Sequence, residues 1–359
     1  MLVTDAWEPQ VNGVVRTLSR VVHELREMGC EVEIVSPSDG YRTVPLITYS
    51  EIRLALNARE DVEERFLAFA PDAVHIATEG TLGWDARAIC LKHKFPFTTS
   101  YHTQFPEYVT ARFSWIPLWA GYRYMRAFHD KSGRIMVSTD TMKQLLTQRG
   151  FKNVTDWRRG VDTDMFNPSK RGIDGGVYKD LPKPIFLYVG RVAVEKNLEA
   201  FLALDLPGTK VIVGDGPARG DLSTKYPDAV FAGLKKGEDL ARAYADADVF
   251  VFPSFTETFG MVILEALAAG TPVAGFNATG PRDLLPGTGA GIVDDDLRKA
   301  ALEALKLDRK TARTYAETFS WRACAEDFRR NLQPLPKPEK KRFWRRLRLI
   351  RRKKKQPLL

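Results

Sequence analysis

Short runs of β-branched and aromatic residues alternate with longer amphipathic stretches along the chain. In the first half these runs are VEIV (32–35), AVHIA (73–77), FTTSY (97–101) and RIMVS (134–138). Helix-length segments lie between them, and this alternation predicts an α/β fold with a parallel sheet. MLV (1–3) is short for a buried strand, which usually has about five or six residues, so we expect the natural start to lie upstream.

The same pattern restarts after a polar stretch that contains proline and glycine, residues 167–184. The later runs are IFLYVG (185–190), KVIVGDG (210–216), DVFVFPS (248–254) and TPVAGF (271–276). We predict a Rossmann-like N-terminal domain, a Rossmann-like C-terminal domain, a helix that crosses back, and a basic amphipathic tail. These four segments span residues 1–166, 167–318, 319–336 and 337–359, respectively. Open α/β sheets bind ligands beyond the carboxyl ends of their strands, so the expected site is the cleft between the two domains.

The composition favours a globular protein. Hydrophobic residues make up 44% of the 359 residues, and no apolar run approaches the roughly 18 residues that span a bilayer. The first residues show neither a basic nor an apolar export segment, which predicts a cytoplasmic location. Cys30, Cys90 and Cys324 lie far apart in helix-like sequence, so we expect buried thiols rather than disulfides or a zinc site.

The positive charge is concentrated at the end of the chain. Residues 337–355 contain twelve Lys or Arg and one acidic residue, Glu339, for a net charge of +11. The whole chain carries +9, so the remainder carries −2. A nearly neutral body argues against nucleic acid as a partner, because such proteins normally present a basic face on the fold itself.

Two loops of the first domain carry candidate residues. In QVNGVVRTL, Gly13 opens a predicted helix, and a glycine there lets an anionic group approach the helix N-terminal amides. A plain turn glycine is the alternative. In TSYHTQF, His102 follows a strand end, where it could make a polar ligand contact or be an ordinary structural histidine.

YVGRVAVEKN in the second domain places two cations after a buried strand. Gly190 ends the strand, Arg191 follows at once, and Lys196 comes five residues later. Two cations at a strand end suit a diphosphate, with arginine as a fork and lysine as a point charge. No GxxxxGK[ST] motif occurs, which excludes a P-loop ATPase.

TETFGMVILEALAAGTPV (256–273) sets two glutamates around a loop that leads into an apolar helix. Glu257 lies in the loop and Glu265 in the second helical turn, so both are placed to reach one ligand. Carboxylates accept hydrogen bonds from sugar or ribose hydroxyls, and the free amides of the helix receive phosphate oxygens. Surface capping carboxylates are the alternative, but they would lie in the first turn.

Together GRVAVEKN, GDGP, FVFPSFTETFGMVILEALAAGTPV and the closing FSW resemble the retaining, nucleotide-sugar-dependent glycosyltransferases of family 4. The resemblance covers roughly residues 2–332 and is more specific in the second domain. It implies the GT-B fold of two facing Rossmann-like domains and no need for a metal or other cofactor.

The resemblance also implies roles for individual residues. Arg191 and Lys196, after Gly190, would bind the donor diphosphate, and Glu265 would bind the ribose hydroxyls. Glu257 would contact the sugar ring, assisted by the amides of Phe259 and Gly260. Gly13 and His102 match positions that contact the phosphate and the transferred sugar.

A DxD sequence, Asp162-Thr163-Asp164, raises the possibility of a metal site. It lies in the polar turn WRRGVDTDMF at the domain crossover, and no further carboxylate or histidine nearby completes octahedral ligation. We therefore expect a structural turn.

The first domain and the tail carry the sequence features that indicate the kind of acceptor. Residues 105–128 interleave aromatic residues with arginines, including Trp115, Trp119, Tyr122 and Arg123, as suits the headgroup level of a bilayer. A packed helical hairpin is the alternative.

The tail sets four apolar residues at helical spacing among cations, namely Phe343, Trp344, Leu347 and Ile350. This pattern predicts a helix lying on an anionic membrane, with a disordered tail or one that attracts nucleic acid as the alternative.

The expected function is transfer of a hexose or hexuronic acid, glucose or glucuronic acid, from a UDP-sugar to diacylglycerol. Diacylglycerol is the expected acceptor because the motifs YHTQFPEY and GRVAVEKNLEAF are most similar to those of enzymes acting on diacylglycerol. We expect the protein on the inner face of the cytoplasmic membrane, because the aromatic segment and the basic tail suit a membrane surface. Mannosyl transfer from a GDP-sugar to a phosphatidylinositol-type lipid is the alternative within the class. A nucleotide-sugar epimerase and a non-catalytic membrane adaptor are alternatives from other classes.

Overall fold

Two parallel β-sheets form the framework of the chain, in a computed structural model that describes residues 1–10, 12–46, 49–113, 115–255, 258–335 and 343–344. Each sheet has six strands, and helices cover both of its faces. The α/β prediction is therefore confirmed.

The N-terminal domain contains eight strands and six helices among its described residues. In chain order they are β1 (Leu2–Val3), α1 (Gly13–Glu27), β2 (Ile34–Val35), β3 (Thr43–Leu46), β4 (Tyr49–Ala55), α2 (Arg59–Phe69), β5 (Val74–Ile76), α3 (Thr81–His93), β6 (Phe97–Ser100), α4 (Phe105–Arg112), α5 (Leu118–His129), β7 (Ile135–Val137), α6 (Asp140–Gln148) and β8 (Val154–Asp156). The sheet order is β2-β1-β5-β6-β7-β8, and β3 and β4 form a separate antiparallel pair that the sequence pattern did not predict.

The C-terminal domain repeats this plan after two short 3-10 turns, Pro168–Lys170 and Ile173–Gly175. Its elements are β9 (Ile185–Val189), α7 (Leu198–Leu202), β10 (Thr209–Val213), α8 (Arg219–Lys225), β11 (Val230–Gly233), α9 (Gly237–Asp246), β12 (Val249–Phe252), α10 (Met261–Ala268), β13 (Val273–Gly275), α11 (Pro281–Leu284), β14 (Gly291–Val293), α12 (Leu297–Ala304) and α13 (Arg309–Ala316). The sheet order is β11-β10-β9-β12-β13-β14.

The strand order reverses between β1 and β5 in the first sheet and between β9 and β12 in the second. Loops leave neighbouring strands in opposite directions at such a point, which opens a crevice beyond their carboxyl ends. The loops that carry the predicted donor residues follow β9 and β12, so the second crevice is the place where those residues meet.

A last helix, α14 (Trp321–Asn331), follows α13 and packs against α1 of the N-terminal domain. Ser320 caps it by accepting a hydrogen bond from the amide of Ala323. Trp157, which is fully buried, donates its indole N–H to the carbonyl of Cys324 at 3.1 Å. The helix thus ties the end of the C-terminal domain back to the first sheet.

Phe343 and Trp344 also lie against the N-terminal domain, which corrects the membrane-facing role predicted for them. Trp344 is only 6% exposed and packs with Phe66 and Phe95, at ring-centroid distances of 5.1 and 5.8 Å. Phe343 lies 5.3 Å from the ring of Phe95. The rings are buried although cations surround them in the sequence, because large aromatic side chains gain much free energy when they leave water and pack against other rings. Leu347 and Ile350 lie outside the described residues.

Among the residues that the structure describes, no helix combines the length and apolar character needed to cross a bilayer. All three cysteines are free thiols; Cys90 and Cys324 are buried, and Cys30 is partly exposed.

Candidate active site

The loop after β9 presents the two predicted cations. The carbonyl of Arg191 accepts a hydrogen bond from the hydroxyl of Tyr188 at 2.9 Å, which fixes the chain just past Gly190. Gly214, at the end of the neighbouring strand β10, has φ +141°, and a side chain there would meet the carbonyl oxygen of Gly190 at 1.9 Å. Lys196 ends a short 3-10 turn and donates from Nζ to the hydroxyl of Tyr108 on α4, at 3.4 Å. Lys196 therefore lies at the boundary between the two domains.

The loop after β12 is joined to the loop after β9. Asn197 donates to the carbonyl of Pro253 at 3.1 Å, and the hydroxyl of Ser254 donates to the carbonyl of Glu195 at 3.4 Å. Glu257, the predicted sugar contact, lies outside the described residues. The lysine turn and the start of α10 are thus held next to each other.

The amino end of α10 depends on a glycine. Gly260 has φ +85°, and a side chain there would meet Cδ1 of Ile263 at 2.9 Å. Phe259 is buried beside it. The left-handed turn starts the helix directly after the loop, so the free amides of its first turn are available to an anion.

Glu265 lies in the second turn of α10 and is buried. Its Oε2 accepts a hydrogen bond from the hydroxyl of Tyr244 at 2.9 Å, and its Oε1 pairs with Nη1 of Arg16 on α1. Burial raises the pKa of this carboxyl, whereas the positive charge of Arg16 and the hydrogen bonds from Tyr244 and Arg16 oppose the rise. The predicted hydroxyl acceptor is thus contacted from both domains.

The amino end of α1 faces that of α10. Asn12 caps α1 by accepting a hydrogen bond from the amide of Val15 at 3.0 Å, and Gly13 is the first helical residue. A Cβ atom at Gly13 would lie 3.9 Å from Cγ of Met261, the first residue of α10. Two helix N-termini therefore approach one another across the cleft, an arrangement that favours anionic ligands.

His102 lies where the two domains touch. Its carbonyl accepts a hydrogen bond from the hydroxyl of Thr258 at 2.6 Å, and Ser138 donates to the carbonyl of Thr258 at 3.0 Å. The imidazole Nε2 is 2.8 Å from Oγ of Ser100. Burial, followed by the positive charge of Arg159, lowers the pKa of His102 well below its usual range. The ring is therefore neutral at physiological pH, with one nitrogen a donor and the other an acceptor, and Nε2 is already paired with Ser100.

The structure brings Gly13, His102 and Glu265 to the cleft, together with the cation-bearing loop and the start of α10. An anionic group can be held by Lys196 and the helix amides, while a carboxylate receives hydroxyl donors. This combination suits a phosphorylated ligand that also carries sugar hydroxyls.

Three residues of this site were missed by the sequence analysis: Arg16, Tyr108 and Thr258. Arg16 carried a signal, because it lies three residues after Gly13 and so on the same face of the helix as the predicted anion contact. Tyr108 and Thr258 gave none, since their partners, Lys196 and His102, are far away in sequence.

Asp162 of the DxD sequence has structural partners. One carboxylate oxygen accepts from Nη2 of Arg20 at 2.8 Å, and the other accepts from the amide of Met165 at 2.9 Å. Within the described ranges, no three His, Cys, Asp or Glu side chains lie close enough together to hold a metal ion. These hydrogen bonds of Asp162 are those expected of a structural turn.

The residues predicted to face a membrane from the first domain divide into two groups. Trp115 and Trp119 are 80% and 63% exposed, and Arg123 is also exposed. Tyr122 is buried, and its inclusion in that set was wrong. Its hydroxyl donates to Glu107, and Arg149 lies over its ring at 4.6 Å. Tyr122 occupies the inward face of α5, which packs on the sheet.

Comparison with known proteins identifies the family of both halves. Residues 11–165 match the family model described as Glycosyltransferase Family 4, and residues 183–307 match the one described as Glycosyl transferases group 1. Sulfoquinovosyl transferase SQD2 of Arabidopsis thaliana is 32% identical over 89% of this chain and 70% of its own length. A GDP-mannose-dependent alpha-mannosyltransferase of Mycobacterium tuberculosis is 35% identical over 79% of this chain and 80% of its own length.

A third relative and a solved structure extend the comparison. Alpha-monoglucosyldiacylglycerol synthase of Streptococcus pneumoniae is 27% identical over 85% of this chain and 77% of its own length. The structure of sucrose-phosphate synthase from Thermosynechococcus elongatus gives a TM-score of 0.71 at 19% identity, covering 92% of this chain and 97% of that one. The fold predicted from the resemblance is confirmed. With both halves matched and two relatives above 30% identity over 89% and 79% of this chain, this chain belongs to glycosyltransferase family 4 and is a glycosyltransferase of the GT-B fold.

Proposed function

We propose that this protein transfers a hexose or hexuronic acid, glucose or glucuronic acid, from a UDP-sugar to diacylglycerol at a membrane surface. The observation that carries the donor half of this proposal is the cleft, where Lys196, two facing helix N-termini and the buried Glu265 come together. Cations and helix amides suit a diphosphate, and a carboxylate suits the hydroxyls of a ribose.

In this proposal Arg191 and Lys196 bind the donor diphosphate, and Glu265 accepts hydrogen bonds from the ribose hydroxyls. The amides of Phe259 and Gly260 assist, and Gly13 contributes an amide from the opposite helix.

Glu257 contacts the sugar ring, and His102 contacts the sugar that is transferred. The neutral state of His102 supports a hydrogen-bonding rather than an ionic role.

The proposed chemistry takes place on one face of the sugar and retains the anomeric configuration. The bond between the anomeric carbon and the phosphate oxygen breaks, and a bond forms between that carbon and the acceptor hydroxyl. The proton of that hydroxyl passes to the departing phosphate oxygen, so no protein nucleophile takes part. Lys196, Arg191 and the helix amides stabilise the charge of the leaving diphosphate without a metal ion or other cofactor.

Three features support a lipid acceptor and a peripheral position on the inner face of the cytoplasmic membrane. Trp115 and Trp119 are exposed beside Arg123, an arrangement suited to the headgroup region. The tail adds eleven net positive charges, which anionic lipids attract at about 1 kcal/mol per nearby cation. The name of the streptococcal relative describes synthesis of a glucosyldiacylglycerol. Nucleic acid is not a partner in this proposal.

The second candidate is mannosyl transfer from a GDP-sugar to a phosphatidylinositol-type lipid or another acceptor. It is favoured by the mycobacterial relative, whose name specifies GDP-mannose and which is 35% identical to this chain.

The two candidates are separated by incubating the purified protein with liposomes that contain both diacylglycerol and phosphatidylinositol, together with a panel of UDP- and GDP-sugars in EDTA. The lipid products are read by mass. A hexosyl or hexuronosyl diacylglycerol formed only from a UDP-sugar supports the proposal, including metal independence. A mannolipid formed only from a GDP-sugar supports the second candidate. Donor consumption without a lipid product contradicts transfer to a lipid in both candidates and points to a soluble acceptor or epimerisation, whereas liposome binding without turnover points to an adaptor.

Replacing Trp115 and Trp119 together with serine is expected to weaken binding to anionic liposomes about tenfold or more, because two indoles leave the interface. Co-sedimentation with liposomes measures this. Leu234→Ser is the matched control, since Leu234 is 62% exposed on the other domain. Equal binding by the double variant and the wild-type protein would contradict the assignment of Trp115 and Trp119 to the membrane-binding surface.

A further inference from the structure

The carboxylate of Glu265 is held from two sides. Arg16 reaches it from α1 of the N-terminal domain, and the hydroxyl of Tyr244 reaches it from α9 of the C-terminal domain. The side chain of Glu265 is 4% exposed, whereas that of Arg16 is 39% exposed. The contact thus joins a buried carboxylate to a cation at the edge of the cleft.

The other cations near α10 have different partners. Arg309 and Arg313 on α13 donate to main-chain carbonyls at the end of α10, those of Ala269 and Ala268. Arg20, one turn beyond Arg16 on α1, pairs with Asp162. Within the described part of the chain, Arg16 is therefore the cation that neutralises Glu265.

We propose that Arg16 is a positioning residue for donor binding, which keeps the carboxylate of Glu265 ionised and oriented so that it can accept hydrogen bonds from the hydroxyls of the nucleoside. This inference rests on the proposed function, which assigns Glu265 to the ribose. Arg16 itself need not contact the donor.

The chemistry of a buried carboxyl group explains why a cation is needed. A carboxylate offers only acceptors, whereas a protonated carboxyl has a donor of its own and less acceptor capacity for a diol. Burial raises the pKa of Glu265 above its ordinary value, and Arg16 lowers it by charge and hydrogen bonding. Removing Arg16 therefore raises this pKa further, and the protonated fraction at neutral pH increases.

The test is isothermal titration of UDP and GDP into the wild-type protein and into Arg16→Met between about pH 5.5 and pH 9. Binding needs the ionised carboxylate, so affinity falls as the pH drops through the pKa of Glu265. The variant is expected to bind at least about tenfold more weakly than the wild type near pH 6 and to recover towards wild-type affinity near pH 9. Arg16→Lys, which keeps the charge, should restore most of the affinity at low pH.

Arg20→Met is the matched control, because it removes an arginine and an ion pair from the same helix without touching Glu265. It should show the pH profile of the wild type. Glu265→Gln should bind weakly at every pH, and adding Arg16→Met to it should introduce no further pH dependence.

Two outcomes would overturn the inference while leaving the proposed function intact. One is unchanged affinity in Arg16→Met, and the other is a loss of the same size at every pH, which would show a role in domain contact alone. If the wild-type protein binds neither UDP nor GDP at any pH, the donor assignment fails and this inference fails with it.

Discussion

Replacing Lys196 with alanine is expected to lower kcat/KM for the donor about 10²- to 10³-fold. Lys196 lies in the loop after β9 of the C-terminal domain and contacts α4 of the N-terminal domain. A preorganised donor aimed at charge that develops on a leaving group is worth about this factor in other enzymes. Steady-state kinetics with the donor identified by the liposome assay measures the effect, and a thermal melt verifies that the variant folds.

Lys225→Ala provides the comparison. Lys225 lies in the same domain and pairs with Glu199, and both side chains are more than half exposed. Such surface pairs contribute little, so this variant should keep wild-type kinetics and stability. Near wild-type turnover by Lys196→Ala would exclude Lys196 from stabilisation of the leaving diphosphate.

Most of the fold was predictable because parallel strands leave a strong local signal. IFLYVG and DVFVFPS contain buried apolar runs that are followed by glycine and proline, respectively, and the structure has β9 and β12 inside them. Since β9 and β12 are neighbours in the sheet, loops that lie about 60 residues apart in the chain meet at one crevice. Knowing which loops follow strands was therefore enough to place Lys196 near the start of α10.

Contacts between the domains could not be predicted in the same way. Arg16 and Glu265 are 249 residues apart, and Lys196 and Tyr108 are 88 residues apart. Nothing in the local pattern of either partner specifies how one domain docks on the other. The way in which the domains dock depends on the surfaces that pack together, so these pairs can be identified only from the structure.

The aromatic residues show a second limit of pattern reading. Trp119 and Trp344 both lie among cations in sequence, yet Trp119 is 63% exposed and Trp344 is 6% exposed. The same amphipathic spacing serves a membrane surface or a protein core, because either environment removes the apolar face from water. Only the presence of a complementary surface, here the cluster of Phe66 and Phe95, decides between them.

Replacing Trp344 with alanine is expected to lower the free energy of unfolding of the N-terminal domain by about 3–5 kcal/mol. Removing a large buried aromatic side chain costs this much through lost transfer energy and the cavity left behind. Trp344 packs with Phe66, Phe95 and Phe343, so the cost falls on the cluster between α2, α3 and the sheet. Urea unfolding followed by circular dichroism measures the change.

Two further variants separate this structural role from membrane binding by the tail. Trp119→Ala removes an exposed indole and should leave stability within about 0.5 kcal/mol of the wild type. Deleting residues 347–359 keeps Trp344 but removes six of the tail's twelve basic residues. It should weaken binding to anionic liposomes while leaving the unfolding transition in place.

If Trp344→Ala left stability unchanged but abolished liposome binding, Trp344 would belong to the membrane surface after all. The tail would then act as the sequence pattern alone predicted.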